Sequence, residues 1–315
     1  MKTLYNIIYF SIVSTLLLSA CSEDTGIGGN NGGKPDDTPE YTVGTLIPIK
    51  VLDYSPAPGQ FINEIPEYEV GDTKATIIAK AEDYLNNKNM ISLGAWGGNI
   101  TLKLSIPIIN KKEANDFRIL GNAVYANAST SGVRYGSAEP GIVLVMQDSN
   151  GNGLADDTWY ELYGAETYNG KENYTVTYHY PEADATNERF MYWESSTGEN
   201  GYISRNTSYH NHNFFPLWLE HNNTMTFSGR RLPDNGKFNA TTSQYDLTSY
   251  YGYADSHPNN TDYSCLDIDN AIDTNGNYVS LSSIDFIKIY TGVLQSNGPL
   301  GECSTEIAGI ESLND

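Results

Sequence analysis

Short runs of β-branched and aromatic residues, each closed off by glycine, asparagine, aspartate or proline, recur along most of this 315-residue chain. Strands of modest length joined by turns are what such punctuation favours. The clearest runs cover residues 41–52, 100–109, 142–147, 174–180, 225–228 and 286–290. A single helix is expected over residues 73–85, where Ala75, Ile78, Ala79, Ala81 and Leu85 partly follow helical spacing and Asn86-Asn87 stops it. The expectation is therefore all-β: a β-sandwich of jelly-roll or galactose-binding-like type with one short helix, built as a single large domain over residues 41–315.

Upstream of that tract the chain reads differently. Lys2, an apolar run over residues 7–18 and the small residues Ser19 and Ala20 make up the parts of an export signal over residues 1–20. The apolar run falls short of the roughly 18 to 20 residues that span a bilayer. Leu18-Ser19-Ala20-Cys21 resembles a bacterial lipobox, which makes Cys21 the expected acceptor of acyl chains and the membrane an expected partner. Each buried CH2 of such a chain is worth about 0.8 kcal/mol, so more than one chain holds a protein on its membrane. Ser22-Glu23-Asp24 then resembles a surface-export signal, or else opens an ordinary polar tether on the periplasmic side. Residues 21–40 carry scarcely an apolar side chain and are expected to act as a flexible tether.

With 18 basic and 39 acidic residues the formal charge is 18 − 39 = −21. Nucleic acid is a poor partner for such a surface, because affinity for it rests on Lys and Arg neutralising phosphates. Carboxylates suit hard cations instead. The chain has three cysteines; with Cys21 lipidated, Cys265 and Cys303 remain as either a disulfide or two thiols. They lack Cys-x-x-Cys spacing, which argues against a zinc or redox role.

The sharpest local motif is Asp148-Ser149-Asn150-Gly151-Asn152-Gly153-Leu154-Ala155-Asp156-Asp157. Oxygen-bearing side chains alternate along it and Gly153 stands sixth, as in the first half of an EF-hand loop. Trp159 occupies the twelfth place, so Asp156 or Asp157 would complete the shell, as in the shorter loops of dockerins and thrombospondin type 3 repeats. Calcium held by Asp148, Asn150, Asn152, Asp156 and Asp157 is one reading; a solvent-facing Asx turn is the other. Asp267 and Asp269 alternate ahead of a hairpin turn at Asp273-Thr274-Asn275-Gly276-Asn277. Asp267, Asp269 and Asp273 are thus a possible second metal or polar site, with Asp255 or His257 brought alongside.

Aromatic content supplies the remaining signal: 24 Tyr, 9 Phe and 4 Trp. Tyr250, Tyr251 and Tyr253 surround a glycine ahead of Asp255 and His257, while Trp193 and Trp218 flank polar, histidine-bearing segments. A ring with one exposed face stacks on a sugar or a planar corrin-like ligand, and these seven residues are the expected ligand contacts. Core packing is the competing role for any one of them. His210-x-His212 has close spacing without an adjacent carboxylate, and no Gly-x-Ser-x-Gly or His-Glu-x-x-His motif appears. No catalytic residue is assigned.

The segments Ser92-Leu93-Gly94-Ala95-Trp96-Gly97-Gly98, Glu139-Pro140-Gly141-Ile142-Val143 and Gly252-Tyr253-Ala254-Asp255, together with residues 51–61 and 284–292, give the chain a resemblance to a family of Bacteroidetes cell-surface lipoproteins. That resemblance implies a secreted β-sandwich lipid-anchored at the outer membrane, with an outer-membrane transporter for glycans or cobalamin as a possible partner. The leading expectation is a surface lipoprotein that binds a glycan for uptake. Its alternatives are cobalamin binding, a glycoside hydrolase or lyase using two carboxylates, and a structural or adhesion subunit.

Overall fold

A computed structural model describes residues 42–125, 135–219, 223–240 and 244–314. The leader, Cys21 and the expected tether lie outside the described residues. The structure is all-β with one helix, and every strand pairing within it is antiparallel.

Among the described residues the strands fall into four sheets of four or more strands and one two-stranded ribbon. The largest runs in the order Ala271–Ile272, Tyr160–Leu162, Gly141–Met146, Ser283–Thr291, Asn99–Ile109, Ile49–Ser55. A second contains Thr45–Leu46, Gly309–Ser312, Phe117–Leu120 and Cys265–Leu266. A third contains Asn200–Ile203, Met191–Ser195, Lys171–His179 and Thr224–Arg231, and a fourth Gly236–Asn239, Gln244–Thr248, Tyr135–Ser137 and Val124–Tyr125. This is a four-bladed β-propeller, so the expected β-sandwich, jelly-roll or galactose-binding-like, is corrected. The fold implied by the lipoprotein resemblance is overturned with it. Alternating patterns specify that a segment is a strand and which face is apolar, but not its partner. Asn99–Ile109, for example, pairs with Ser283–Thr291 across most of the chain.

The helix Lys74–Asn86 matches its sequence signals closely. Thr73 caps it by accepting the Thr76 amide, while the Thr76 hydroxyl accepts the Thr73 amide at 2.7 Å. Such caps are worth about 1 kcal/mol. The buried face is Ile77, Ala81 and Leu85, spaced four apart, with Ile78 at its margin. That face packs into the largest core cluster, alongside Ile100 and Leu102 of the long strand and Ile310 of the second sheet. Separate clusters surround Trp96 with Tyr174 and Tyr178, and Ile142 with Tyr253 and Tyr290.

Both downstream cysteines are buried free thiols, so the disulfide alternative is corrected. Cys265 Sγ meets Arg118 Nη2 at 3.0 Å, whereas Cys303 sits in the cluster with Tyr253 and Tyr290. Among the described residues no helix is long and apolar enough to cross a membrane.

Candidate ligand-binding cleft

Tyr163 leaves the end of the Tyr160–Leu162 strand with its amide donated to the Asn270 carbonyl at 2.8 Å. Two residues on, Ala165 donates to the Tyr251 carbonyl at 3.0 Å, which seats residues 163–165 against the 251–253 turn. The approach is so close that a Cβ on Gly252 would lie 2.7 Å from the Gly164 Cα and 2.9 Å from the Tyr163 carbonyl. At φ +84 this position requires glycine for its backbone shape as well.

Beside this junction lies a cavity of about 440 Å³. Tyr163, Tyr251 and Tyr263 line it together with Asp262, Asp267 and Asn270. Tyr251 is about half exposed, and its ring meets Tyr263 edge to face with centroids 5.2 Å apart. Behind it His257 is buried, with Tyr251 at 4.8 Å on one side and the Tyr125 hydroxyl 2.7 Å from His257 Nδ1 on another. Tyr163 continues outward into Tyr168 and Tyr278, both well exposed, at centroid distances of 5.3 and 6.1 Å. Aromatic edges and faces therefore run from the cleft onto the surface.

The cleft's polar groups are held from below. Asp262 accepts the Thr42 amide at 2.7 Å and lies 3.7 Å from the guanidinium of the fully buried Arg118. Arg118 also donates to Ser264 Oγ at 2.8 Å and faces Glu311 at 3.4 Å. Asp267 accepts the Asp269 amide at 2.8 Å. Burial pushes the Asp267 carboxyl above its ordinary range despite that hydrogen bond, with the Asp116 and Asp269 charges adding to the shift. The site combines ring faces with hydrogen-bonding oxygens, the pairing that recognises a hydroxylated, partly apolar ligand.

Of the expected ligand contacts, the structure brings Tyr251 and His257 together here. Trp218 is buried against Tyr54 at 6.0 Å, and Tyr253 is buried with its hydroxyl accepting the Glu166 amide at 3.2 Å. Tyr250 is partly buried and packs beside Tyr253. Trp193 lines a different depression of about 520 Å³ with Glu199, Arg231 and Asp234. There the polar groups already bind one another: Arg231 donates to Glu199 at 3.0 Å and the Tyr174 hydroxyl does so at 2.5 Å. Hydrogen bonds from Tyr174 and Lys171 hold Glu199 down at about 2.

Asp255 is buried, and its carboxylate accepts the amides of Asn122, Ala123 and Glu306 at 2.8 to 3.0 Å. One oxygen each from Glu139, Asp255 and Glu306 lies within 4.8 Å of the other two. Ser304 joins the group, its amide donating to Glu139 and its hydroxyl to Glu306, each at 2.9 Å. Burial, reinforced by the Asp255 charge, pushes Glu139 up to about 8, and Asp255 and Glu306 are raised for the same reason. This knot ties residues 122–123 to 139, 255 and 304–306, and the Asp255 carboxyl is taken up within it.

The expected calcium ligands share one turn, which hydrogen bonds among its own residues close. Asp148 accepts the Asn152 and Gly153 amides at 3.1 and 2.8 Å, and Asn152 Nδ2 reaches both oxygens of Asp156 at 3.2 and 3.0 Å. Asn150 Nδ2 lies 3.4 Å from Asp156, and Asp157 accepts the Ser149 amide at 3.1 Å. Asn150 and Asn152 thus turn their amide nitrogens, not their oxygens, towards Asp156, while the carboxylates of Asp148, Asp156 and Asp157 are oxygen donors of the kind a hard cation takes. Lys103 Nζ meets the Gly153 carbonyl at 2.7 Å on the flank. In the second loop Asp269 accepts from Asn110 at 2.9 Å, while Asp273 closes its own turn by accepting the Asn275 and Asn277 amides. Asp267 alone of that trio lines the cleft.

Tyr163, Tyr263, Asp262 and Asn270 carry no local sequence signature; they join the site because the Tyr160–Leu162, Ala271–Ile272 and Cys265–Leu266 strands end beside one another. No family model matches this sequence and no curated protein matches it at significance, so every residue role rests on the geometry above.

Proposed function

We propose that the chain is a binding protein that captures a saccharide in the cleft formed by Tyr163, Tyr251 and Tyr263. The observation that carries this reading is the set of three tyrosine rings beside Asp262, Asp267 and Asn270 in a cavity of about 440 Å³. Small-molecule sites commonly occupy roughly 300 to 1,000 Å³ and pair apolar walls with a few polar groups. Tyr168 and Tyr278 extend the platform for further sugar rings. The Leu18-Ser19-Ala20-Cys21 signal supports display from a membrane, where a bound solute would pass to a transporter, and the Asp148 loop supports a calcium brace outside the cleft.

Calorimetry of the full soluble chain against oligosaccharides, with cobalamin as the rival ligand, tests the reading. Saccharide binding that weakens in Tyr251→Ala supports it. Binding of cobalamin alone, or of neither, overturns it.

One observation favours a second reading, hydrolysis of the bound glycan. Asp267 and the Arg118-backed Asp262 both line the cleft, and glycoside hydrolysis uses a pair of carboxyl groups flanking the scissile bond. Release of reducing ends that is lost in Asp267→Asn would establish it; stable binding without product sinks it.

A further inference from the structure

His210 and His212 stand two residues apart in a polar stretch with no carboxylate nearby in sequence. The fold supplies one from a turn far upstream. Glu64 Oε1 lies 3.1 Å from His212 Nδ1, and Glu64 Oε2 lies 3.4 Å from His210 Nδ1. One donor atom from each of the three residues lies within 4.8 Å of the other two. Zinc binds imidazole nitrogen and carboxylate oxygen at about 2.0 to 2.2 Å, which puts neighbouring donors of a tetrahedral shell roughly 3.3 Å apart. The two measured separations bracket that spacing.

The group is also framed before any ion arrives. Asn63, with φ 76, turns the chain immediately before Glu64. Its side chain donates to the Asn213 and Phe215 carbonyls at 2.7 and 3.0 Å and accepts the Leu217 amide at 3.0 Å. Gly59 donates to the Phe214 carbonyl at 3.1 Å, a second tie between the same two segments. Phe61 meets His210 edge on at 5.0 Å, and Phe214 lies 5.4 Å from His212. Both rings are therefore held in place by packing.

Two further facts distinguish this group from an ordinary histidine–carboxylate pair. His210 Nδ1 is a buried atom that closes no hydrogen bond of good geometry. The carbonyls of Ile62 and Gln60 flank the His212 ring, the arrangement by which a metal-bound imidazole is oriented from behind. Side-chain exposures of 20% for His210, 26% for His212 and 43% for Glu64 leave an entry path from solvent.

We propose that Glu64, His210 and His212 form a binding site for a zinc-class divalent transition ion, with at least one coordination position open to water or a further ligand. The paired imidazoles select against calcium and magnesium, which take oxygen donors. This site is independent of the tyrosine cleft and of the Asp148 loop. When loaded, it staples the turn at Glu64 to the segment at residues 210–212.

The test uses the full chain, stripped by chelator and titrated with Zn²⁺ by calorimetry and with Co²⁺ by visible absorption. One zinc equivalent, a higher melting temperature and a Co²⁺ spectrum of mixed nitrogen and oxygen ligation are expected. His210→Ala, His212→Ala and Glu64→Gln should each weaken Zn²⁺ binding by at least about tenfold, whereas His179→Ala, at the separate His179–Glu194 pair 3.2 Å apart, should leave it unchanged. A folded wild-type chain that takes up no zinc overturns the proposal. So does a His210→Ala/His212→Ala chain that binds as tightly as wild type. If the histidine variants unfold, the wild-type Co²⁺ spectrum decides: ligation without nitrogen sinks the site.

Discussion

Tyr251 and Tyr263 meet edge to face at 5.2 Å with an interplanar angle of 85°, so one ring is propped by the other at the wall of the cleft. Edge-to-face pairs of this kind add about 0.5 to 1.5 kcal/mol beyond the area they bury. Support of this sort keeps a half-exposed ring in position at little entropic cost to a ligand.

Removing that ring should separate binding from folding. Tyr251→Ala is expected to weaken saccharide binding by roughly 2- to 13-fold, corresponding to about 0.5 to 1.5 kcal/mol, while leaving far-UV circular dichroism unchanged. Tyr253→Ala, by contrast, empties a buried position and should cost about 3 to 5 kcal/mol of stability, read by denaturant titration. Equal effects of the two variants on stability would contradict this division of roles.

The Asp148 loop should respond to calcium. A calcium ion held by the carboxylates of Asp148, Asp156 and Asp157 would bind the folded chain alone, so chelation is expected to lower the melting temperature and added Ca²⁺, in a zinc-free buffer, to restore it. Asp148→Ala should abolish most of the Ca²⁺-dependent difference. A chain whose melting temperature ignores Ca²⁺ would reduce the loop to its internal hydrogen bonds.

Stability should fall as pH rises above neutrality's acid side. Burial raises Glu139 to about 8 and Glu302 to about 7 in the folded protein, both above the ordinary value of 4.5. The folded state therefore holds protons that the unfolded chain has released, so folding weakens as pH rises from about 4.5 towards about 8. Carboxylates that are lowered, such as Glu199 at about 2, change the balance only at more acidic pH. Melting curves in chelator between pH 5 and pH 9 should show the decline, and Glu139→Gln should flatten it. A melting temperature that climbs through this interval would refute the assignment.

Arg118 is the cation beneath the cleft. Its guanidinium is fully buried between Glu311 and Asp262, with Ser264 Oγ accepting at 2.8 Å. Arg118→Ala leaves the buried Glu311 facing, among the described residues, the partly exposed Lys88 at 2.9 Å, so a loss of about 3 to 5 kcal/mol is expected by denaturant titration. Glu311→Gln in the same background should recover part of it. Should Arg118→Ala match wild-type stability, the cleft floor does not depend on this charge.

What the amino-acid order determined by itself was local. Runs of β-branched and aromatic residues between turn residues marked strands over residues 100–109 and 286–290, within the observed Asn99–Ile109 and Ser283–Thr291, helical spacing and the double asparagine marked the helix, and Asp273 with Asn277 closed the turn read from their spacing. Each depends on groups a few residues apart, where backbone geometry and nearby hydrogen bonds decide the outcome. Tertiary structure alone decided that these strands divide among four larger sheets and make a propeller rather than a sandwich, because pairing partners stand far apart in sequence and alternation does not name them. It also decided that Asp255, Tyr253 and Trp218 are buried while Tyr251 is exposed, that Tyr163 and Tyr263 face one cavity, and that Glu64 reaches His210 and His212. Burial and convergence are properties of the packed chain: a tyrosine or a carboxylate carries the same chemistry in either setting, and only its neighbours in space choose between core and site.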